Sequence, residues 1–146
     1  MKNMLLGFIA FLIIAGCATT NNSPSVLFQA YSQYKESANK NNINKVATKY
    51  FSQSLLGESY LTNPDATSQL LFKNYMVTTD GYYEKVNALN GCLTINGYDE
   101  EKAPLIFSLK YILNNGDWLI SEIHVVFIES ANDFSKDAKC PSEYFN

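Results

Sequence analysis

Leu105-Ile106-Phe107-Ser108-Leu109-Lys110-Tyr111-Ile112-Leu113, then Asn114-Asn115-Gly116-Asp117, then Trp118-Leu119-Ile120-Ser121-Glu122-Ile123-His124-Val125-Val126-Phe127-Ile128, is the stretch that decides the fold. Its first part places Leu105, Phe107, Leu109, Tyr111 and Leu113 on one face, the period-2 pattern of a strand. The tetrapeptide after it is a turn, because Asn and Gly tolerate the positive φ that tight hairpins need. The last part divides into Leu119, Ser121, Ile123, Val125 and Phe127 on one side and Trp118, Ile120, Glu122, His124, Val126 and Ile128 on the other. Two long antiparallel strands joined by a hairpin are expected here.

Working back from the hairpin, Pro104 stands at the start of its first strand, where a missing backbone donor is tolerated. Tyr83 to Leu89 reads as an earlier strand and Cys92 to Asn96 as a shorter one, with Asn90-Gly91 as the turn between them. Asp80 before Gly81 reads as a turn residue. Further upstream the apolar period changes to about 3.6. Leu27, Ala30, Tyr31, Tyr34 and Ala38 mark a first helix, with Ser25 as its cap. Ile43, Val46, Ala47, Tyr50, Phe51 and Leu55 mark a second, capped by Asn41 or Asn42 and ended by Gly57. Asn63-Pro64-Asp65 opens a third, carrying Leu70, Leu71 and Tyr75. Helices followed by antiparallel strands make an α+β fold, with amino-terminal helices packed on a curved sheet.

This order, at this length, is similar to the nuclear transport factor two-like fold, also called cystatin-like. The Gly116-Asp117-Trp118-Leu119-Ile120 segment resembles a strand ending common in that superfamily. The resemblance covers residues 26 to 129 and implies a cone-shaped sheet round a helix, with a pocket. It implies no activity, because such a fold hosts enzymes and binding modules alike.

The amino terminus carries a different message. Met1-Lys2-Asn3 supplies a positive charge, Met4 to Ile14 is apolar throughout, and Ala15-Gly16 are small. That is the outline of a secretory signal, and it is shorter than the roughly 20 apolar residues of a membrane-spanning helix. Ile14-Ala15-Gly16-Cys17 resembles the bacterial lipobox. The resemblance implies cleavage before Cys17, a diacylglycerol on its thiol and an acyl chain such as palmitate on its new amino group. Each buried CH₂ contributes ~0.8 kcal/mol, so two or three chains anchor durably where one does not. By the lipobox sorting rule, Ala18 in place of aspartate favours the outer membrane, on its periplasmic or surface side. Residues 1–16 are thus a lipoprotein signal, 17–25 a lipidated polar tether and 26–146 one domain.

Composition narrows the function. All eleven basic residues are lysines. With Lys2 removed, ten lysines face fourteen acidic residues, a formal charge of about −4. No basic footprint for nucleic acid is present, and no guanidinium fork for phosphate. Cys92 and Cys140 are an even pair in an exported chain, and two readings are open: buried free thiols, or a disulfide closing a 49-residue loop, worth ~4 kcal/mol by chain-entropy reasoning. The chain after Glu129 is polar except for Phe134, Tyr144 and Phe145.

One histidine and no Cys-x-x-Cys give no zinc pattern, and no glycine-rich phosphate loop occurs. No cofactor is expected. His124 and Glu122 alternate on one strand face, and either serve as an acid–base pair or are a solvated polar face. Asp99-Glu100-Glu101 either binds a cation or is a solvated turn; it lacks calcium-loop spacing. Ten tyrosines and nine phenylalanines either line a pocket or fill the core. The expected function is a membrane-anchored, non-enzymatic binding module for an envelope protein or a small apolar ligand. The alternative is a small pocket enzyme, of isomerase or hydrolase type, using His124 and Glu122.

Overall fold

The computed structural model describes residues 25–144. The signal, Cys17 and the tether up to Pro24 lie outside the described residues, as does Phe145. The order is α1 (Val26–Ser37), α2 (Ile43–Tyr50), α3 (Gln53–Leu56), α4 (Pro64–Gln69), then β1 (Thr78–Val86), β2 (Asn90–Tyr98), β3 (Pro104–Asn114) and β4 (Asp117–Phe127). The strands form one antiparallel meander in the order β1-β2-β3-β4, and the helices pack on it. The expected α+β class is what the chain adopts.

Local chemistry explains most boundaries. Helix α1 starts at Ser25, whose hydroxyl accepts from the Phe28 N–H at 3.3 Å. A carboxylate from the sheet completes this cap. Glu84 on β1 accepts the backbone N–H groups of Val26 (3.1 Å), Leu27 (2.9 Å) and Phe28 (3.3 Å), and also the Ser25 hydroxyl. Three orphan N–H donors and a hydroxyl at a positive helix end are a favourable seat for an anion. The first turn of α1 is thereby tied to β1. Asn63 accepts from Asp65 N–H at 2.9 Å and Pro64 opens α4, as the Asn-Pro pair predicts.

The helices bury one stripe. Leu27, Tyr31 and Tyr34 of α1 pack over Leu93, Ile95, Leu105, Phe107, Leu109 and Tyr111 of β2 and β3. Aromatic rings do much of the filling: Phe72 stands edge-on to Phe107 at 5.1 Å, and Tyr34 edge-on to Phe51 at 5.2 Å. The Tyr34 hydroxyl donates to the Leu70 carbonyl at 2.6 Å. Burial pushes the Tyr31 and Tyr34 phenols well above the usual tyrosine range. Most of the fully buried tyrosines are therefore core, not pocket lining.

Five expectations are corrected. The second helix does not run through to Leu55. It stops at Tyr50, because Phe51 pairs with Ile120 as an isolated parallel bridge and Ser52 N–H donates to the Ile120 carbonyl at 2.9 Å. Ser52 then caps the short α3, which Gly57 ends at φ 67°. The turn between the first two strands is not Asn90-Gly91 but Asn87-Ala88-Leu89. The Asn87 side chain accepts from the N–H groups of Leu89 and Asn90 and so builds that turn. Gly91 lies inside β2, opposite Val86, where the close approach of Leu27 leaves little room for a side chain. Asp80 is not in a turn; it is the extra residue of a bulge within β1.

The fourth correction concerns β4. The faces expected from strict alternation hold only after Ser121. Lys110 pairs with Glu122 while Tyr111 pairs with Ile120, so Ser121 is bulged. One extra residue switches the side on which later residues point. Trp118 and Ile120 before the bulge, and Ile123 and Val125 after it, all pack against the helix-side core. Tyr75 is also not helical in the α sense; it ends a 3-10 turn, Phe72–Tyr75, and is exposed.

Candidate functional site

The two candidate catalytic residues lie on the sheet face opposite the helices. Glu122 pairs across the ladder with Lys110, and their side chains form an ion pair. His124, opposite Ser108, has its ring 5.3 Å from that of Tyr144. Tyr144 belongs to the carboxy-terminal tail, which lies across this face as a strap. Asn96 bonds Ser135 twice, accepting from its N–H at 3.2 Å and donating to its carbonyl at 2.8 Å. Thr94 Oγ accepts from Lys139 N–H at 2.8 Å, and Ser108 Oγ donates to the Lys139 carbonyl at 2.7 Å. Thr94, Asn96 and Ser108 are buried polar groups on a sheet face, and the strap backbone satisfies them. Cys140 closes the strap by a disulfide to Cys92, with Cα atoms 5.1 Å apart. Of the two readings of this cysteine pair, the disulfide is the one formed.

The last turn of the strap is held by charge. Glu143 accepts from Lys85 Nζ at 2.8 Å and from Cys140 N–H at 2.5 Å, and the Lys85 bond is the main reason its carboxyl sits below the usual carboxylate range. Asp99-Glu100-Glu101 is a turn between β2 and β3. Asp99 accepts from the N–H groups of Glu101 (2.9 Å) and Ala103 (2.8 Å), so its carboxylate is committed to the backbone.

A recess lies on the other side of the sheet. The break at Phe51-Ser52 starts α3 against β4, and beyond the left-handed Gly57 the chain to Leu70 runs beside that strand. Between that segment and β4 opens a half-open groove of about 420 Å³. Its walls are Leu55, Leu56, Leu70, Phe72, Ile123 and Val125. Its rim carries neutral polar groups, among them Tyr60, Asn63, Gln69 and Tyr75. No charged side chain of the described residues lines it. An apolar floor with a few hydrogen-bonding groups is the general chemistry of a small-ligand or side-chain pocket.

His124 and Glu122 do not reach this groove. Their neighbours in sequence, Ile123 and Val125, do, because the residues between them point through the opposite face of the same strand. The pocket-enzyme alternative therefore has neither of its two candidate residues at the recess. Sequence reading assigned Leu55, Leu70, Ile123 and Val125 to core stripes and missed the groove. The five residues between the Gly57 stop and the Asn63-Pro64 start are an ordinary helix–helix connection and gave no signal of it.

No family model, no curated protein sequence and no solved structure matches this chain.

Proposed function

We propose that this chain is a lipid-anchored protein of the bacterial envelope whose domain is a non-enzymatic binding module. Its recognition surface is the groove between residues 53–70 and β4. The observation that carries the binding reading is the groove's lining: apolar walls, a neutral polar rim, and no charged side chain among the described residues. Such a lining favours a neutral apolar ligand or the apolar side chains of a partner protein. A charged group would enter without a counter-charge and lose its hydration.

Attachment rests on Ile14-Ala15-Gly16-Cys17 and the polar tether after it. Residues 18–24 extended would span about 25 Å, so the domain would stay close to the bilayer surface. The resemblance to the nuclear transport factor two-like superfamily and the outer-membrane preference implied by Ala18 are part of the same proposal. Intact-mass analysis of the mature protein tests the attachment. A chain beginning at Cys17 and carrying two or three acyl chains is expected; an unmodified Cys17, or a cut elsewhere, contradicts it.

A further inference from the structure

Strand β4 is an outer strand of the sheet, and its hydrogen-bonding parity is set by two bonds. Leu113 N–H donates to the Leu89 carbonyl at 2.8 Å, and Ile128 N–H donates to the Pro104 carbonyl at 3.2 Å. With the register Ile106↔Val126, Ser108↔His124 and Lys110↔Glu122, the backbone groups of residues 122, 124 and 126 face β3. Those of Ile123, Val125 and Phe127 face outward. Ile120 faces outward too, and its carbonyl is taken by Ser52 N–H. Past that point no backbone group among the described residues pairs with this edge.

The side chains of Ile123 and Val125 are walls of the groove. One row of residues thus presents free backbone donors and acceptors at an edge and apolar side chains in the recess beside it. The edge sequence Ile123-His124-Val125-Val126-Phe127 holds no proline, lysine or acidic residue. Both outer strands carry a bulge, at Asp80 in β1 and at Ser121 in β4, but β1 also sets the charges of Asp80 and Lys85 along its edge, a usual way of blunting one. An apolar small molecule would leave the outward row of β4 without partners. Another backbone matches its two-residue repeat of about 6.8 Å.

We infer that the edge of β4 from Ile123 to Phe127 accepts an extended peptide segment of a partner protein as an added strand. Alternate apolar side chains of that segment enter the groove. The inference rests on the groove reading above and names the partner's chemistry: a neutral, extended segment with apolar residues at every second position, about five residues over roughly 17 Å. Phe51 already occupies the strand position next to Ile120, so the incoming segment extends a row that the chain itself begins.

Two variants probe strand pairing: Phe127→Pro, outside the groove lining, separates it from simple filling of the groove, and Val125→Pro also alters a groove wall. Val125→Pro and Phe127→Pro each remove one outward N–H and leave the ladder to β3 intact, a substitution that edge strands tolerate. Circular-dichroism melting of each variant reports folding. The probes are four fluorescein-labelled octapeptides with Thr at odd positions and Val, Ile, Leu or Phe at even ones, each also made with N-methyl groups on alternate amides. Anisotropy titrations use the detergent-solubilised mature protein, up to about 1 mM peptide. Saturable binding of at least one plain peptide is expected, with at least tenfold loss on N-methylation and a several-fold loss in each folded proline variant. Equal binding of plain and N-methylated peptides, unaffected by the proline variants, overturns strand addition and leaves the groove reading standing. Binding by none of the four peptides overturns the peptide inference outright.

Discussion

Gly97→Ala is expected to destabilise the domain by about 3 kcal/mol, the upper end for overfilling a packed site. A Cβ at position 97 would lie 2.2 Å from the Thr78 carbonyl oxygen and 2.6 Å from the Met76 sulfur. Met76 is buried and Thr78 belongs to the paired β1 ladder, so neither neighbour can simply swing away. Two other glycines supply an internal scale. At Gly91 the nearest atoms are the far end of the buried Leu27 side chain, at 2.6 Å, and the Lys85 carbonyl oxygen, at 3.1 Å, and alanine there is expected to cost about 1–2 kcal/mol. At Gly81 nothing lies within 4 Å, and alanine is expected to change stability by less than about 0.5 kcal/mol. Urea unfolding of the three variants checks the ranking. A Gly97→Ala domain as stable as the Gly81→Ala one would mean that β1 does not lie against Gly97 as described.

The second large effect concerns the strap. Replacing Cys92 and Cys140 by serine is expected to cost about 2–5 kcal/mol, the range for removing a native disulfide from a small exported domain. The loss has two sources. The cross-link restricts the unfolded chain, and it holds the strap whose backbone satisfies Thr94, Asn96 and Ser108. If the strap lifts, three buried polar side chains lose their partners at once. Hydrogen exchange separates the two sources. Selective loss of protection at Ser135 and Lys139, with α1 and β2–β3 still protected, is the signature of a lifted strap. Unchanged protection at those two amides in the double-serine protein would show that the hydrogen bonds alone hold it.

Much of the fold was legible in the sequence, for local reasons. The last hairpin follows from alternation plus an Asn115-Gly116 turn, and both residues adopt positive φ, 52° and 91°. The caps at Ser25 and Asn63 were legible because capping is chemistry between near neighbours. For Cys92 and Cys140 the sequence left free thiols and a bridge both open, and the bridge is the one formed. What escaped was tertiary. Leu55 continues the helical stripe of α2, and only the pairing of Phe51 with Ile120 breaks it. The bulge at Ser121 leaves no mark in an alternating pattern, yet it decides which β4 side chains meet the groove. The tail reads as loose polar chain because its partners, Thr94, Asn96 and Ser108, are polar residues some thirty to forty-five positions away. The groove escaped because its walls, among them Leu55, Leu70, Ile123 and Val125, have the composition of a core.

On the proposed reading this domain meets its partners through the groove beside β4, and not through the strapped face, where His124 packs beside Tyr144 and Glu122 is paired with Lys110. Photo-crosslinking in intact cells tests it most directly, with p-benzoylphenylalanine placed singly at Tyr60 or Tyr75 on the groove rim, or at the exposed Lys136 on the strap. Adducts of one defined mass from Tyr60 and Tyr75, absent from Lys136, are the predicted result. Adducts confined to Lys136, or none from either groove position, would contradict it.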